Sequence, residues 1–90
     1  MKINPRAERL SEVLRLELIR SRKECGLSMN ETAAKAALAL SFVSDLVSGK
    51  RKPTVETLAK LAWTFGTSAA ALLATCEEQV KRSEQLNSPE

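Results

Sequence analysis

Between Leu40 and Lys52 the chain gathers its most usable side-chain chemistry. Lys50, Arg51 and Lys52 form a basic cluster, and its chemistry is the capture of anions, phosphate foremost. Ser41, Ser44, Asp45 and Ser48 precede it, with hydroxyls that donate or accept and a carboxylate that only accepts. Catalysis has no such footing. The 90 residues contain no His and no Tyr, so a Ser–His or Cys–His nucleophilic pair is impossible. No Gly-rich phosphate loop is present. Two isolated cysteines, Cys25 and Cys76, cannot close a zinc site. Glu77-Glu78 lies in a polar stretch, where solvated charge is the natural reading. No catalytic residue, metal or cofactor is expected, and the chain is not read as an enzyme.

Two short helices joined by a tight turn must position this chemistry. Ser28-x-x-Glu31 fits a capping box, so the first runs from about Met29 to Ala36. The second runs from about Leu40 to Ser48 and stops at Gly49, a natural left-handed C-terminal residue. Val43 and Leu46 are three apart and share a face. Small Ala33 opposite them lets the helices cross closely, which is helix-turn-helix geometry. The turn, Ala37-Leu38-Ala39, lacks glycine; a left-handed Ala37 costs about 1–2 kcal/mol. Leu38 is expected to be buried, and Phe42 to pack into the core or against the chain after Gly49.

The surrounding chain reads as helices too. Asn4-Pro5 is a helix start, and Arg6–Cys25 carries Leu10, Val13, Leu14 and Leu18 at helical spacing. Leu16 and Ile19 fall off that stripe, either as a second apolar patch or as partly exposed residues. Thr54-x-x-Thr57 starts a fourth helix with a core face of Val55, Leu58, Leu61, Ala62 and Phe65. Trp63, between core residues, is expected to be half-buried, with a dimer interface as its other role. Gly66 ends that helix. Thr67 or Ser68 caps a fifth carrying Leu72 and Leu73, which Glu77–Glu84 can extend. The division is a tail at 1–5, a domain at 6–76 with its motif at about 28–49, and a polar extension at 77–90.

Composition bounds the function. The apolar fraction of 43% excludes a wholly disordered chain, and with only Phe42, Trp63 and Phe65 as aromatics the core must be aliphatic. The longest apolar run, Ala69–Ala74, is far short of the roughly 20 residues that span a bilayer. Met1–Pro5 has no signal-peptide core, so a cytoplasmic protein with reduced cysteines is expected, a disulfide remaining open. Residues 1–53 hold eleven Lys/Arg against six Asp/Glu, a net +5; residues 54–90 hold three against five, a net −2. A basic first half suits nucleic acid, a solvated surface being the alternative.

Gly26-Leu27-Ser28, Ala33, Ala37, Leu38, Ser41-Phe42-Val43-Ser44, Gly49, Pro53, Glu56-Thr57-Leu58 and Lys60-Leu61-Ala62 together resemble the phage-repressor-like (Xre-type, Cro/lambda-repressor-like) helix-turn-helix family. The likeness covers about Leu14 to Leu73. It implies an all-α, compact five-helix DNA-binding domain, here with a lengthened first helix. Ala33, Ala37, Leu38, Val43 and Leu46 are the motif-packing positions. Leu40, Ser41, Ser44 and Asp45 stand where the family reads bases. Leu40 suits a thymine methyl, the serines donate or accept, and Asp45 can accept from a cytosine amino group.

Phosphate contacts are expected from Ser48, Lys50, Arg51 and Lys52, with Lys35 as a weaker candidate. Val47 replaces a frequent Glu that pairs with an Arg at the position of Arg22, leaving Arg22 for a phosphate. Met29 replaces a frequent Gln. The resemblance implies double-stranded DNA as partner and a homodimer that regulates transcription as a repressor, with half-sites about 34 Å apart. No ligand-sensing domain is expected after the fifth helix. Small members of the family include phage repressors, toxin–antitoxin partners and restriction–modification controllers. Two other readings stay open: a protein-interaction module using Leu40 and its neighbours, and a bare dimerisation domain.

Overall fold

Asn4 starts the first helix. Its Oδ1 accepts from the Arg6 and Ala7 N–H groups at 3.0 and 3.1 Å, and Pro5 occupies the first turn, where its missing N–H does no harm. The computed structural model describes residues 4–86, in five helices with no strand among them. These are α1 (Pro5–Glu24), α2 (Met29–Ala36), α3 (Leu40–Ser48), α4 (Val55–Thr64) and α5 (Ala69–Leu86). Met1–Ile3, most of the expected tail, and Asn87–Glu90 lie outside the described residues.

The caps follow from the residues. Ser28 Oγ accepts from the Glu31 N–H at 3.0 Å while Glu31 Oε1 accepts from the Ser28 N–H at 2.9 Å, so the expected capping box is complete. Thr54 and Thr57 close a second box at the start of α4, and Ser68 Oγ accepts from the Ala71 N–H at 3.1 Å at the start of α5. The long helices α1 and α5 pack on each other, α1 also on α3 and α5 on α4, while α2 packs between α3 and α4. Leu14, Leu18, Ala36, Leu46, Leu58, Leu61, Ala62, Leu72 and Cys76 form the core between them. Burial pushes the Cys76 thiol up to about 11, with Glu17 adding to the effect, so it packs as a small apolar group. Cys25 is exposed, and both thiols are free.

Several placements differ from the sequence reading. The first helix starts at Pro5 and α5 extends past Cys76 to Leu86, both as read, but the residues after Cys76 do not behave as a polar extension. Val80, in the stretch read as a polar extension, is 3% exposed, and Glu84 pairs with Arg6 Nε at 3.2 Å. The stretch as far as Glu84 therefore packs on α1. Val55 is 83% exposed because it stands at the first position of α4, one turn before the core contact begins at Leu58. Trp63 is 68% exposed rather than half-buried. Residues two apart on a helix point about 200° apart, so lying between Leu61 and Phe65 in sequence turns Trp63 outward. Leu38 is part-buried rather than buried. Of the alternatives for the second α1 patch, Leu16 is exposed and Ile19 part-buried.

Glu17 is a buried charge that composition does not reveal. It is 5% exposed on the core side of α1. Arg20 forks onto both its oxygens, and Gln79 Nε2 donates to Oε1 at 3.4 Å from α5. The Arg20 hydrogen bonds hold the Glu17 carboxyl below the usual carboxylate range, outweighing burial, which acts the other way. The native state therefore binds that proton less readily than the unfolded chain, whose Glu titrates near about 4.3. The stability it contributes is full above that pH and is lost as pH falls through the depressed native value. Arg20 is half exposed, so the contribution is about 1 kcal/mol. Glu17→Gln should thus be destabilising by about that amount near pH 7. The gap should close as urea midpoints are followed down to about pH 3; a gap constant with pH rejects the assignment.

Candidate nucleic-acid interface

Ala37 makes the turn that sets α2 against α3. It adopts φ 56° and ψ 47°, the left-handed region, and is the one described non-glycine residue to do so. Its N–H donates to Ala34 O at 3.3 Å and the Leu38 N–H donates to Ala33 O at 2.9 Å, which closes the end of α2. Ala37 itself is exposed; Ala36, Ala33, Val43 and Leu46 do the close packing expected of the motif. Ala37→Gly should remove the Cβ strain of about 1–2 kcal/mol and add part of it back through greater unfolded-chain freedom. The expected net gain is about 0.5–1 kcal/mol, visible as a raised midpoint in thermal melts; a loss would show the turn unstrained.

That turn leaves the start of α3 open. Ala39, its N-cap, offers no side-chain acceptor, so no side chain caps the first N–H groups of α3. Leu40 is 45% exposed, and Ser41, Ser44 and Ser48 are exposed beside it. Asp45 is part-buried, and its carboxylate stands 3.7 Å from Arg51 Nε. The Arg51 N–H also donates to Asp45 O at 3.2 Å, and the Arg51 guanidinium lies 5.1 Å from the centre of the Phe42 ring. Phe42 thus packs both on the core and on the chain after Gly49, as expected. It aims Arg51 by a cation–π contact.

The basic loop is held from α1. Lys52 Nζ donates to Ser11 Oγ at 3.1 Å. Arg15 Nη1 donates to Val47 O at 2.8 Å, satisfying a carbonyl at the end of α3, while Glu12 accepts from the same guanidinium at 2.6 Å. Those bonds to Arg15 hold the Glu12 carboxyl low. Gly49, at φ 84°, lets the chain turn from α3 into Lys50. Arg15 escapes a reading of the sequence, because its signal, the i,i+3 pair Glu12–Arg15, is common on any helix.

Leu40, Ser41, Ser44, Asp45, Ser48, Lys50, Arg51 and Lys52 therefore lie along one helix and its following loop. Two expected phosphate residues lie elsewhere. Arg22 turns inward: Nη1 donates to Leu27 O at 2.7 Å, and Nε is buried without a partner. It lines a small cavity with Thr32, Val43 and Val47, and Val47 offers Nε no acceptor. Lys35 flanks Lys60 and Trp63, away from the basic loop.

Residues 18–72, more than half of the chain, match the helix-turn-helix family HTH_3. The chain belongs to this family. The helix-turn-helix chain is 37% identical over 59 residues to an uncharacterized HTH-type transcriptional regulator, y4dJ, of Sinorhizobium fredii, covering 66% of this chain and 77% of that one. It is 38% identical over 52 residues to the HTH-type transcriptional regulator DdrOP3 of Deinococcus deserti; that match covers 58% of this chain but only 40% of the relative. In fold it resembles the crystal structure of the clp gene regulator ClgR from Corynebacterium glutamicum, with a TM-score of 0.72, 23% identity, and 86% and 82% of the two chains covered. The five-helix, all-α expectation is met, and the helix-turn-helix chain stands among transcriptional regulators that bind DNA. Among the described residues no helix is long and apolar enough to cross a membrane, and no cluster of His, Cys, Asp or Glu could hold a metal ion.

Proposed function

We propose that the protein is a sequence-specific transcriptional repressor that binds double-stranded DNA as a homodimer, with α3 in the major groove. The observation that carries this reading is the outward start of α3 next to a braced basic loop. Leu40, Ser41 and Ser44 are exposed where a helix entering the groove meets base edges, and Lys50, Arg51 and Lys52 follow within a few residues. The loop positions and the helix specifies. Asp45 takes part as a pair with Arg51, so it either accepts from a cytosine amino group or holds Arg51 toward a phosphate. Ser48, at the far end of α3, is a further phosphate candidate, and Lys35, beside Trp63, the weaker one. Arg22 braces the loop before α2 and takes no part in this reading. A DNA-bound repressor of this kind works in the cytoplasm.

Exposed Leu40 favours a second reading. An apolar side chain at the leading edge of α3, beside a carboxylate already paired, also suits a protein partner. Selection from random duplex DNA at two salt concentrations separates the two. The repressor reading expects an enriched palindrome with half-sites about 10 base pairs apart. It also expects Ser44→Ala to alter preference at a single base pair. Binding that vanishes with salt and enriches nothing rejects sequence-specific recognition and turns the search to a protein partner for Leu40–Asp45.

A further inference from the structure

Among the described residues none covers Val55, Glu56 or Trp63 on the outer face of α4, while Ala59 and Lys60 between them are part-buried. Leu58, Leu61 and Ala62 bury one side of this helix. Val55, Ala59 and Trp63 recur every fourth residue along the other, and Val55 and Trp63 are among the most exposed large apolar side chains described. Such a stripe, a β-branched residue and an indole with a small residue midway, is what one helix presents to another. Beside it run Glu56 and Lys60, each one residue round from Val55 and Ala59. They make no ion pair with each other or with any other described residue. A hollow beside Trp63 is lined by Lys35, Ala36, Lys60 and Thr64, two cations with no carboxylate among them.

We infer that this face of α4 pairs with the same face of a second copy, antiparallel, about a two-fold axis at Ala59. The arrangement is self-complementary residue by residue. Ala59 meets its own counterpart, where only a small side chain lets the helices approach. Trp63 lies over the partner's Val55, and Val55 under the partner's Trp63, as an isologous interface requires. A two-fold axis perpendicular to both helices keeps the Glu56–Lys60 flank on the same side in each copy. Glu56 therefore falls beside the partner's Lys60, within reach of the hollow that holds two unpaired cations. Charge complementarity thus selects a second copy of this chain. The face is small: α4 is about 15 Å long, and a stable interface usually takes about 800 Å² per partner. The association is accordingly weak and concentration-dependent.

This inference rests on the homodimer reading and names its surface. The test uses the full chain without DNA, from about 1 µM to about 1 mM. Sedimentation is read in parallel with Trp63 emission, an unambiguous probe because the chain has one Trp and no Tyr. A monomer–dimer transition should coincide with a blue shift as Trp63 leaves water. Glu56→Lys and Lys60→Glu should each weaken it about tenfold, by setting like charges across the two-fold axis twice over, and the double variant should restore most of the loss. Thermal melts confirm that the variants remain folded. A dimer that neither substitution weakens overturns this surface and leaves the homodimer reading standing. A chain that stays monomeric alone and on operator DNA overturns both. Emission that shifts only on adding an acidic, leucine-containing peptide overturns the second copy in favour of an acidic partner.

Discussion

Replacing Lys50, Arg51 and Lys52 together with alanine is expected to lower affinity for every duplex sequence alike, by roughly two to three orders of magnitude at about 0.1 M salt. The size follows from counterion release. Each phosphate neutralised contributes about 0.9 to the slope of log affinity against log salt, so removing all three cations should flatten it by about 2.7. At about 0.1 M the same slope corresponds to the quoted fall in affinity. Arg51→Ala alone should flatten the slope by about one. Arg51 is already shared with Asp45 and the Phe42 ring, and Lys52 with Ser11. These interactions orient the cations without burying them, so they remain available to phosphate. Base preference at the positions read by Ser41 and Ser44 should be unchanged in the triple variant, since both lie outside the loop; Asp45, released from Arg51, is the one base-reading candidate it disturbs. The check is a salt titration on operator and random DNA. A triple variant that binds as tightly as the parent would remove the loop from the interface.

Val80→Asp is expected to destabilise the fold by about 3 kcal/mol. Val80 is buried between α5 and the first turns of α1, in the company of Ala7 and Leu10. A carboxylate there must be desolvated or protonated, and no facing cation is buried with it; Arg6 and Lys81 line the same groove from the exposed side. For a domain of this size such a change lowers the melting midpoint by about 12–24 °C. Val80→Ala should cost about 1–2 kcal/mol, a shift of about 4–16 °C, as the gradual counterpart. A melt of Val80→Asp indistinguishable from the parent would show that residues beyond Cys76 add nothing to the domain.

Much of this protein is legible in its residues because the relevant rules are local. Ser28 with Glu31, Asn4 with Pro5 and Thr54 with Thr57 are short-range hydrogen-bonding patterns, so the helix starts follow from spacing alone. Gly49 and the small residues of α2 mark the motif for the same reason. The turn at Ala37 is legible as a place where a left-handed residue would be strained; that Ala37 takes that conformation is shown by the fold.

What needs the tertiary structure is decided by partners far apart in sequence. Arg22 turns inward because Val43, Leu61 and Phe65, distant in sequence, line the cavity it enters; nearby Leu27 supplies only a carbonyl, which by itself does not distinguish it from an exposed arginine. Glu17 is buried because Arg20 and, from 62 residues away, Gln79 meet it. Val80 belongs to the domain because α1 is long enough to reach it, a matter of two helix lengths matched in space. Trp63 faces out because the direction of α4 against the core, not its apolar neighbours, sets which side is covered. Sequence alone determined the helices, the family and the residues at the start of α3. The fold alone decided which charges face solvent, which turn inside, and which face of α4 is left uncovered, because those depend on distances that no local pattern encodes.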